Sequence, residues 1–308
     1  MSIQSTVQNF HPSGKFLMFI GMFLLGLALA SIAQVIIILP FSDMKSINDL
    51  AKLEDFSNPN IIKAMKIAQA VSAILMFIIP SLVFAFLSSE KKISALKMNK
   101  GFHPMIGLAA IALVFVAMPV INWTGELNSH LALPDFMSGV EKWMKNSEDS
   151  LKKLTDAFLQ MNGIGDLIVN VIVIALLAAV GEELLFRGTI QTIFIEWMKN
   201  KHVAIIVTSI LFSALHAQFY GFLPRMLLGV VLGYLYLWSG SLWLSMLFHF
   251  LNNGIAVLFS YLIGKGKIDE SAETIGAGSS PIYLVIASML IGAGIMFYIY
   301  KNRKAAED

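Results

Sequence analysis

Apolar residues in this chain fall into blocks of about 20, the length a helix needs to cross a hydrocarbon core about 30 Å thick. The blocks lie at about 16–39, 64–88, 105–123, 167–197, 203–217, 222–238, 242–263 and 282–300. The pattern predicts an all-α fold, a polytopic membrane helical bundle of about eight transmembrane helices. A polar segment of about 40 residues separates the third block from the fourth. In it Val140, Trp143, Met144, Leu151, Leu154, Phe158 and Met161 recur at helical spacing among lysines and acids. That stretch predicts an amphipathic surface helix, lying on the membrane or over a cavity mouth, with a packed extramembrane helix as the alternative. The first block follows Lys15 and contains "ALASIAQ", as a signal peptide would. Its apolar run continues through "VIIILP" to Pro40, longer than a signal core, so an uncleaved first helix is expected.

Composition sharpens this picture. Soluble domains carry about 25% charged residues; here 14% are charged and 57% hydrophobic, which excludes a soluble composition. The net charge of +2 and the lack of a basic tract point away from a nucleic-acid partner. There is no cysteine, which removes disulfides, thiolate ligands and cysteine nucleophiles together. Positive residues mark the cytoplasmic side of a membrane protein. Lys91, Lys92, Lys97, Lys100, Lys199, Lys201, Lys301, Arg303 and Lys304 share one side if eight spans place both termini in the cytoplasm; Lys45, Lys52, Lys265 and Lys267 oppose them. The expected location is a cell (inner) membrane, multi-pass, with cytoplasmic termini.

An ionisable group at the centre of a span costs about 2.5–3.5 kcal/mol on insertion scales and therefore needs a reason. Only Glu182, Glu183, Arg187, His216, His249 and Asn253 stand deep in apolar blocks as candidates for chemistry. Glu183 and Arg187 are i,i+4 on one helix and can pair. Glu182 points about 100° away from Glu183, free to face something else. Phe212 and His216 in "FSALH", and His249 and Asn253 in "HFLNN", repeat the i,i+4 spacing. The turn near residues 199–200 sets the height of the site. Glu183 and His216 lie about 16 residues to either side of it, so both stand roughly 24 Å away and face each other. His249 lies about 13 Å from the turn at Gly240 and reaches that level only if the 199–202 turn projects about 10 Å further.

A carboxylate in apolar surroundings is suited to act as a general base on water, and a neighbouring imidazole can share that water or bind a metal holding it. A second imidazole and a carboxamide on a facing helix are donors suited to a developing oxyanion. The parts suit amide hydrolysis.

The three signatures "EELLFR" (182–187), "FSALH" (212–216) and "HFLNN" (249–253) occur in that order in separate spans. In this the chain resembles the type II CAAX-prenyl endopeptidases and bacteriocin-processing enzymes, intramembrane proteases of the Abi or CPBP kind, over about residues 165–260. The resemblance implies that Glu182 activates water with His216, that His249 and Asn253 stabilise the oxyanion, and that Glu183 and Arg187 support the site. It implies a hydrophobic or lipidated peptide or protein as substrate, met within membrane lipid. It leaves metal dependence open. Zinc with three protein ligands and a water would draw on Glu182, His216 and His249, although the H-E-x-x-H zinc signature is absent. The chain then divides into a membrane region at 1–163 (three spans plus the amphipathic helix), a catalytic four-helix membrane core at 164–263, and a polar loop, last span and cytoplasmic tail at 264–308.

Other readings fit less well. "GIGD" at 163–166 has the form of an intramembrane aspartyl protease motif, but no second aspartate lies in a span, and Asp166 is placed to cap a helix. Ser213 and Ser245 lack the glycine setting of a rhomboid-like serine site. A proton-coupled transporter would favour repeated halves, which are not seen. A non-catalytic membrane scaffold or regulator would have no need of the complete motif set.

Overall fold

The computed structural model describes residues 3–42, 58–90 and 92–303, and every regular element among them is helical. The long helices, after a short one at Ile3–Gln8, are in chain order α1 (Pro12–Phe41), α2 (Pro59–Ser88), α3 (Pro104–Ser129), α4 (Ser138–Leu159), α5 (Ile164–Met198), α6 (Lys201–Ala214), α7 (Phe222–Ser239), α8 (Leu242–Gly264) and α9 (Ile282–Lys301). Start signals explain several boundaries. His11 and His103 each precede a proline, and each ring Nδ1 accepts from the backbone N–H two residues on, at 3.3 Å, so these histidines cap α1 and α3. Asn58 and Asn200 cap α2 and α6 in the same way. Lys199 and Gly240, both left-handed, end α5 and α7. Asp166 in the first turn of α5 accepts from the backbone N–H of Asn162 at 2.8 Å, the expected capping role.

Large apolar side chains such as Leu17, Leu25, Leu290 and Phe297 are exposed, while Asn170, Glu183, Arg187 and Gln191 are fully or almost fully buried. This inversion of a soluble protein, on helices of membrane-spanning length, makes the chain a multi-pass membrane protein. Among the described residues seven of the helices are long and apolar enough to cross. The expected fifth span is the exception. It is a helix of only 14 residues, α6, about 21 Å long against a core of about 30 Å. Residues 215–218 leave the helix, Ala217 has φ 52°, and a 3₁₀ turn at Phe219–Gly221 leads into α7.

One end of the bundle collects the start of α1, the 97–100 loop, the 199–202 turn, the 240 turn and the end of α9. The ties are Lys15 to Glu196 (2.9 Å), Leu242 N–H to the Lys97 carbonyl (3.3 Å), Ser241 Oγ to the Lys100 carbonyl (2.6 Å) and the Trp238 ring near Tyr300 (5.3 Å). The ends of the first and last spans thus share a side, as eight segments require. Lys63, Lys142, Lys145, Lys152, Lys153, Lys265 and Lys267 belong to the opposite end, so charge alone does not orient the bundle; Lys45, Lys52, Lys91 and Lys304 lie outside the described residues. The amphipathic helix α4 is divided in use. Its C-terminal half packs Ala157 and Phe158 on Ile62 of α2, while Trp143 in its N-terminal half stacks near Phe219 (5.4 Å) and stays exposed with Val140.

Helices α6 and α7 approach closely because α7 presents glycine at i,i+4. A Cβ on Gly229 would meet Ser209 Cβ at 2.9 Å, and one on Gly233 would meet Ile205 Cγ2 at 2.8 Å; small residues at this spacing let membrane helices touch backbone to side chain. Gly229→Val is expected to destabilise the protein by about 1–3 kcal/mol through overpacking, read as a lower Tm in detergent. Gly21→Ala in α1, where a Cβ meets nothing within 4 Å, should leave Tm unchanged.

Candidate active site

Helix α5 is not a uniform α-helix. Two wide π-helical stretches, Val171–Leu177 and Leu184–Gln191, flank the α-helical turn that ends in Glu182 and Glu183. The hydroxyls of Thr189 and Thr192 reach the carbonyls five residues back, Leu184 (3.0 Å) and Arg187 (3.2 Å). π-Bulges are frequent at functional sites, and each fits an extra residue into the helix with little added length. The glutamates therefore stand closer to the 199–202 turn than a regular helix would put them. One extra residue takes up only about 1.5 Å, well short of the roughly 10 Å, and the 2.8 Å hydrogen bond between His249 Nδ1 and Glu183 Oε1 shows that the two side chains meet all the same.

Glu183 is fully buried, and its Oε1 accepts from Arg187 Nη1 at 2.7 Å and from His249 Nδ1 at 2.8 Å. Arg187, also fully buried, gives Nη2 to the Gly229 carbonyl at 3.0 Å, and one turn on Gln191 Nε2 reaches the Gly233 carbonyl at 3.1 Å. The two glycines thus supply both the close approach and the exposed carbonyls. The guanidinium also lies 4.7 Å from the Phe212 ring, which meets His216 and His249 edge-on at 5.0 and 5.9 Å. Phe212 is a buried spacer between the two imidazoles.

His216 lies just beyond the end of α6, and its Nδ1 bonds the Phe212 carbonyl at 2.8 Å. A carbonyl only accepts, so Nδ1 carries the hydrogen and the neutral ring has its lone pair on Nε2. The same holds for His249, whose Nδ1 donates to a carboxylate. Both Nε2 atoms converge on one oxygen: Glu182 Oε2 lies 3.9 Å from His216 Nε2 and 3.8 Å from His249 Nε2. That oxygen is buried and has no hydrogen-bond partner among the described residues. The Glu182 side chain is 15% exposed and that of His216 31%, so the constellation opens on the His216 side. A water oxygen about 2.8 Å from its partners fits between groups at these separations.

Glu182, Glu183, Arg187, His216 and His249 thus meet. Asn253 lies one turn beyond His249 on α8, and its side chain accepts from Asn252 at 3.2 Å. A cavity of about 340 Å³ between α3 and α8, lined by Asn252, Ile255, Phe259 and Met118, lies beside it. As metal ligands, Glu182, His216 and His249 offer suitable donor types, yet among the described residues no three His, Asp or Glu side chains form a set that could hold an ion. The unpartnered Glu182 oxygen, facing two Nε2 lone pairs, has room for a water. Two further residues at the site escaped the sequence reading. Asn128 of α3 and Arg225 of α7 both bind the loop that follows His216. Asn128 left a weak trace, an amide near the end of an apolar run.

Residues 164–255 match the family described as type II CAAX prenyl endopeptidase Rce1-like. Over 114 residues the chain is 30% identical to an uncharacterized protein, YpbD, of Bacillus subtilis (strain 168). That match takes in 35% of this chain and 55% of YpbD, so the chain spans about half the length of the curated relative it matches. No solved structure matches the chain.

Removing one member of a buried ion pair strands the other charge. Glu183→Ala is expected to cost about 3–5 kcal/mol of stability, seen as a large fall in Tm. The double variant Glu183→Leu/Arg187→Met should recover most of that loss. A single variant as stable as the wild type would mean that the pair is not fully buried.

Proposed function

We propose, from the match of residues 164–255 to the family described as type II CAAX prenyl endopeptidase Rce1-like, that the chain is an intramembrane endopeptidase. Its substrate is a hydrophobic or lipidated peptide or protein presented from the membrane, and it works in a cell membrane with both termini cytoplasmic. One observation carries the reading: two imidazole nitrogens with committed tautomers converge at 3.8 and 3.9 Å on a buried glutamate oxygen that bonds to nothing else.

The chemistry follows from donor and acceptor roles. A water between Glu182 Oε2 and His216 Nε2 gives one hydrogen to each, which leaves an oxygen lone pair for the scissile carbonyl carbon. As the C–O bond forms, Glu182 takes the proton and the carbonyl oxygen becomes an oxyanion. His249 Nε2 carries a hydrogen only in the imidazolium form, for which Glu183 at Nδ1 is an ion-pair partner already in place. In that form it donates to the oxyanion, with the Asn253 carboxamide as the second donor. When the C–N bond breaks, the proton held by Glu182 passes to the leaving nitrogen, giving an amine and a carboxylic acid, whose remaining hydrogen passes to Glu182 or to His216 Nε2 as the acid leaves as a carboxylate. Glu183 and Arg187 hold the His249 ring and take no part in bond making. The cavity beside Asn252 offers room for an apolar side chain or lipid of the substrate.

The test is cleavage of fluorogenic peptides, some farnesylated near the C terminus, by purified protein in detergent. Glu182→Ala should lower the rate by about 10²–10⁴ with little change in Tm, and Asn253→Ala by about 10²–10³. Addition of a chelator separates a water activated by Glu182 alone, which is unaffected, from one held on an ion. Undiminished cleavage by Glu182→Ala overturns the proposal. Loss with chelator that zinc restores would place an ion among Glu182, His216 and His249.

A further inference from the structure

His216 is the site residue that no helix holds. Helix α6 stops at Ala214, His216 sits in the following turn, and Ala217 adopts φ 52°. An L residue takes that conformation only where its surroundings enforce it. A histidine on such a bend keeps its aim only if the bend is pinned, and the structure shows where.

The loop is held from within its hairpin, from α7, from α3 and from α4, where Glu148 accepts from the Tyr220 N–H at 3.4 Å. Within the hairpin, Ser213 Oγ donates to the Phe222 carbonyl at 2.7 Å. From α7, Arg225 gives Nη1 to the Gln218 carbonyl at 3.1 Å and Nη2 to the Gln218 side-chain oxygen. Its guanidinium fills the space that a Cβ on Gly221 would need, 2.6 Å from Nη1. From α3, Asn128 spans the loop with both ends of its carboxamide: Nδ2 donates to the Phe219 carbonyl and Oδ1 accepts from Leu223 N–H, each at 2.8 Å. Asn128 is 5% exposed and satisfies a donor and an acceptor of non-helical backbone, which at membrane depth is tolerated only where protein or water supplies partners. Arg225 has no ion pair within 4 Å among the described residues. Its hydrogen bonds among them go entirely to residue 218, two positions from the catalytic imidazole.

We infer that Asn128 and Arg225 are positioning residues for His216, acting through the 215–221 loop to keep its Nε2 on Glu182. The inference deepens the proposed hydrolytic role and rests on it for its kinetic consequence. It also gives α3, which lies outside residues 164–255, a direct part in assembling the site.

The experiment compares wild type with Asn128→Ala, Arg225→Gln, Arg225→Lys and the double variant Asn128→Ala/Ala217→Gly. It uses peptide cleavage together with NMR of ¹⁵N-histidine-labelled protein, with His216 and His249 assigned from their own substitutions. Asn128→Ala and Arg225→Gln should each lower kcat by about 10–100-fold, the scale of an ångström-sized misplacement, with KM within about twofold. Arg225→Lys, which keeps a donor for the Gln218 carbonyl, should retain more activity than Arg225→Gln. Ala217→Gly, which allows the bend without strain, should restore part of the rate lost in Asn128→Ala. In the two damaging variants the His216 ring should leave its Nδ1–H tautomer while His249 keeps its wild-type signals. Unchanged kcat and unchanged His216 signals would overturn the inference, and so would equal disturbance of both histidines, which signals general loosening. If the wild type cleaves no peptide, the hydrolytic reading fails, and the tautomer of His216 still decides the positioning role.

Discussion

A guanidinium and a carboxylate, both removed from water, fix the arrangement of everything near them. Each buried ion carries a desolvation penalty of several kcal/mol, which attraction offsets only where the geometry is good and further hydrogen bonds are made. Here Arg187 and Glu183 meet that condition by recruiting other helices. The arginine reaches a backbone carbonyl of α7, available because Gly229 has no side chain, and the glutamate accepts from His249 of α8. The aromatic face of Phe212 from α6 lies against the cation. Helices α5, α6, α7 and α8 are thereby brought to one point by one pair, and the second glutamate is set beside it.

Adjacent glutamates could hardly be more alike in sequence, yet their surroundings separate them. Glu183 has two charged or polar donors on Oε1 and no exposure, while Glu182 has none of these donors, faces two imidazoles and has a modest opening to the outside; each keeps one buried oxygen without a partner among the described residues. About 100° of helix rotation turns one into a structural counter-ion and leaves the other for chemistry. The backbone carbonyl of Phe212 and the carboxylate of Glu183 complete the division of roles. Each takes the Nδ1 hydrogen of one histidine and so decides what the far side of the ring presents to Glu182.

The motif residues and their pairing along a helix were legible because i,i+4 spacing is a property of the chain itself. The facing of Glu182 and His216 followed from counting residues to a shared turn. The meeting of His249 with Glu183 did not, since it depends on how the 199–202 and 240 turns stand relative to each other, which no residue pattern marks. Hydropathy alone also ran 203–217 together as a span, because "ALHAQ" hides a helix end that only Ala217's bend and the loop's outside partners reveal. Asn128 and Arg225 could not be tied to His216 from sequence. Asn128's bonds to Phe219 and Leu223 join residues about 90 positions apart in the chain, and nothing local marks them. His11 and His103 show the reverse: a histidine before a proline reads as a flank, and the structure gives each a definite capping task.

The shortness of α6 has a consequence for the bilayer. A helix of 14 residues offers lipid an apolar wall about 9 Å shorter than the hydrocarbon is thick. Bilayers meet such a shortfall by thinning at the protein surface. The thinning falls where α6 ends, beside the partly exposed imidazole of His216, so headgroups and their hydration descend toward the one side on which the site is open. Hydrolysis consumes a water molecule for every bond cut, and membrane interiors hold almost none. For the hydrolysis proposed above, a helix that stops early offers the aqueous phase a way to Glu182 and His216 without a channel through the bundle.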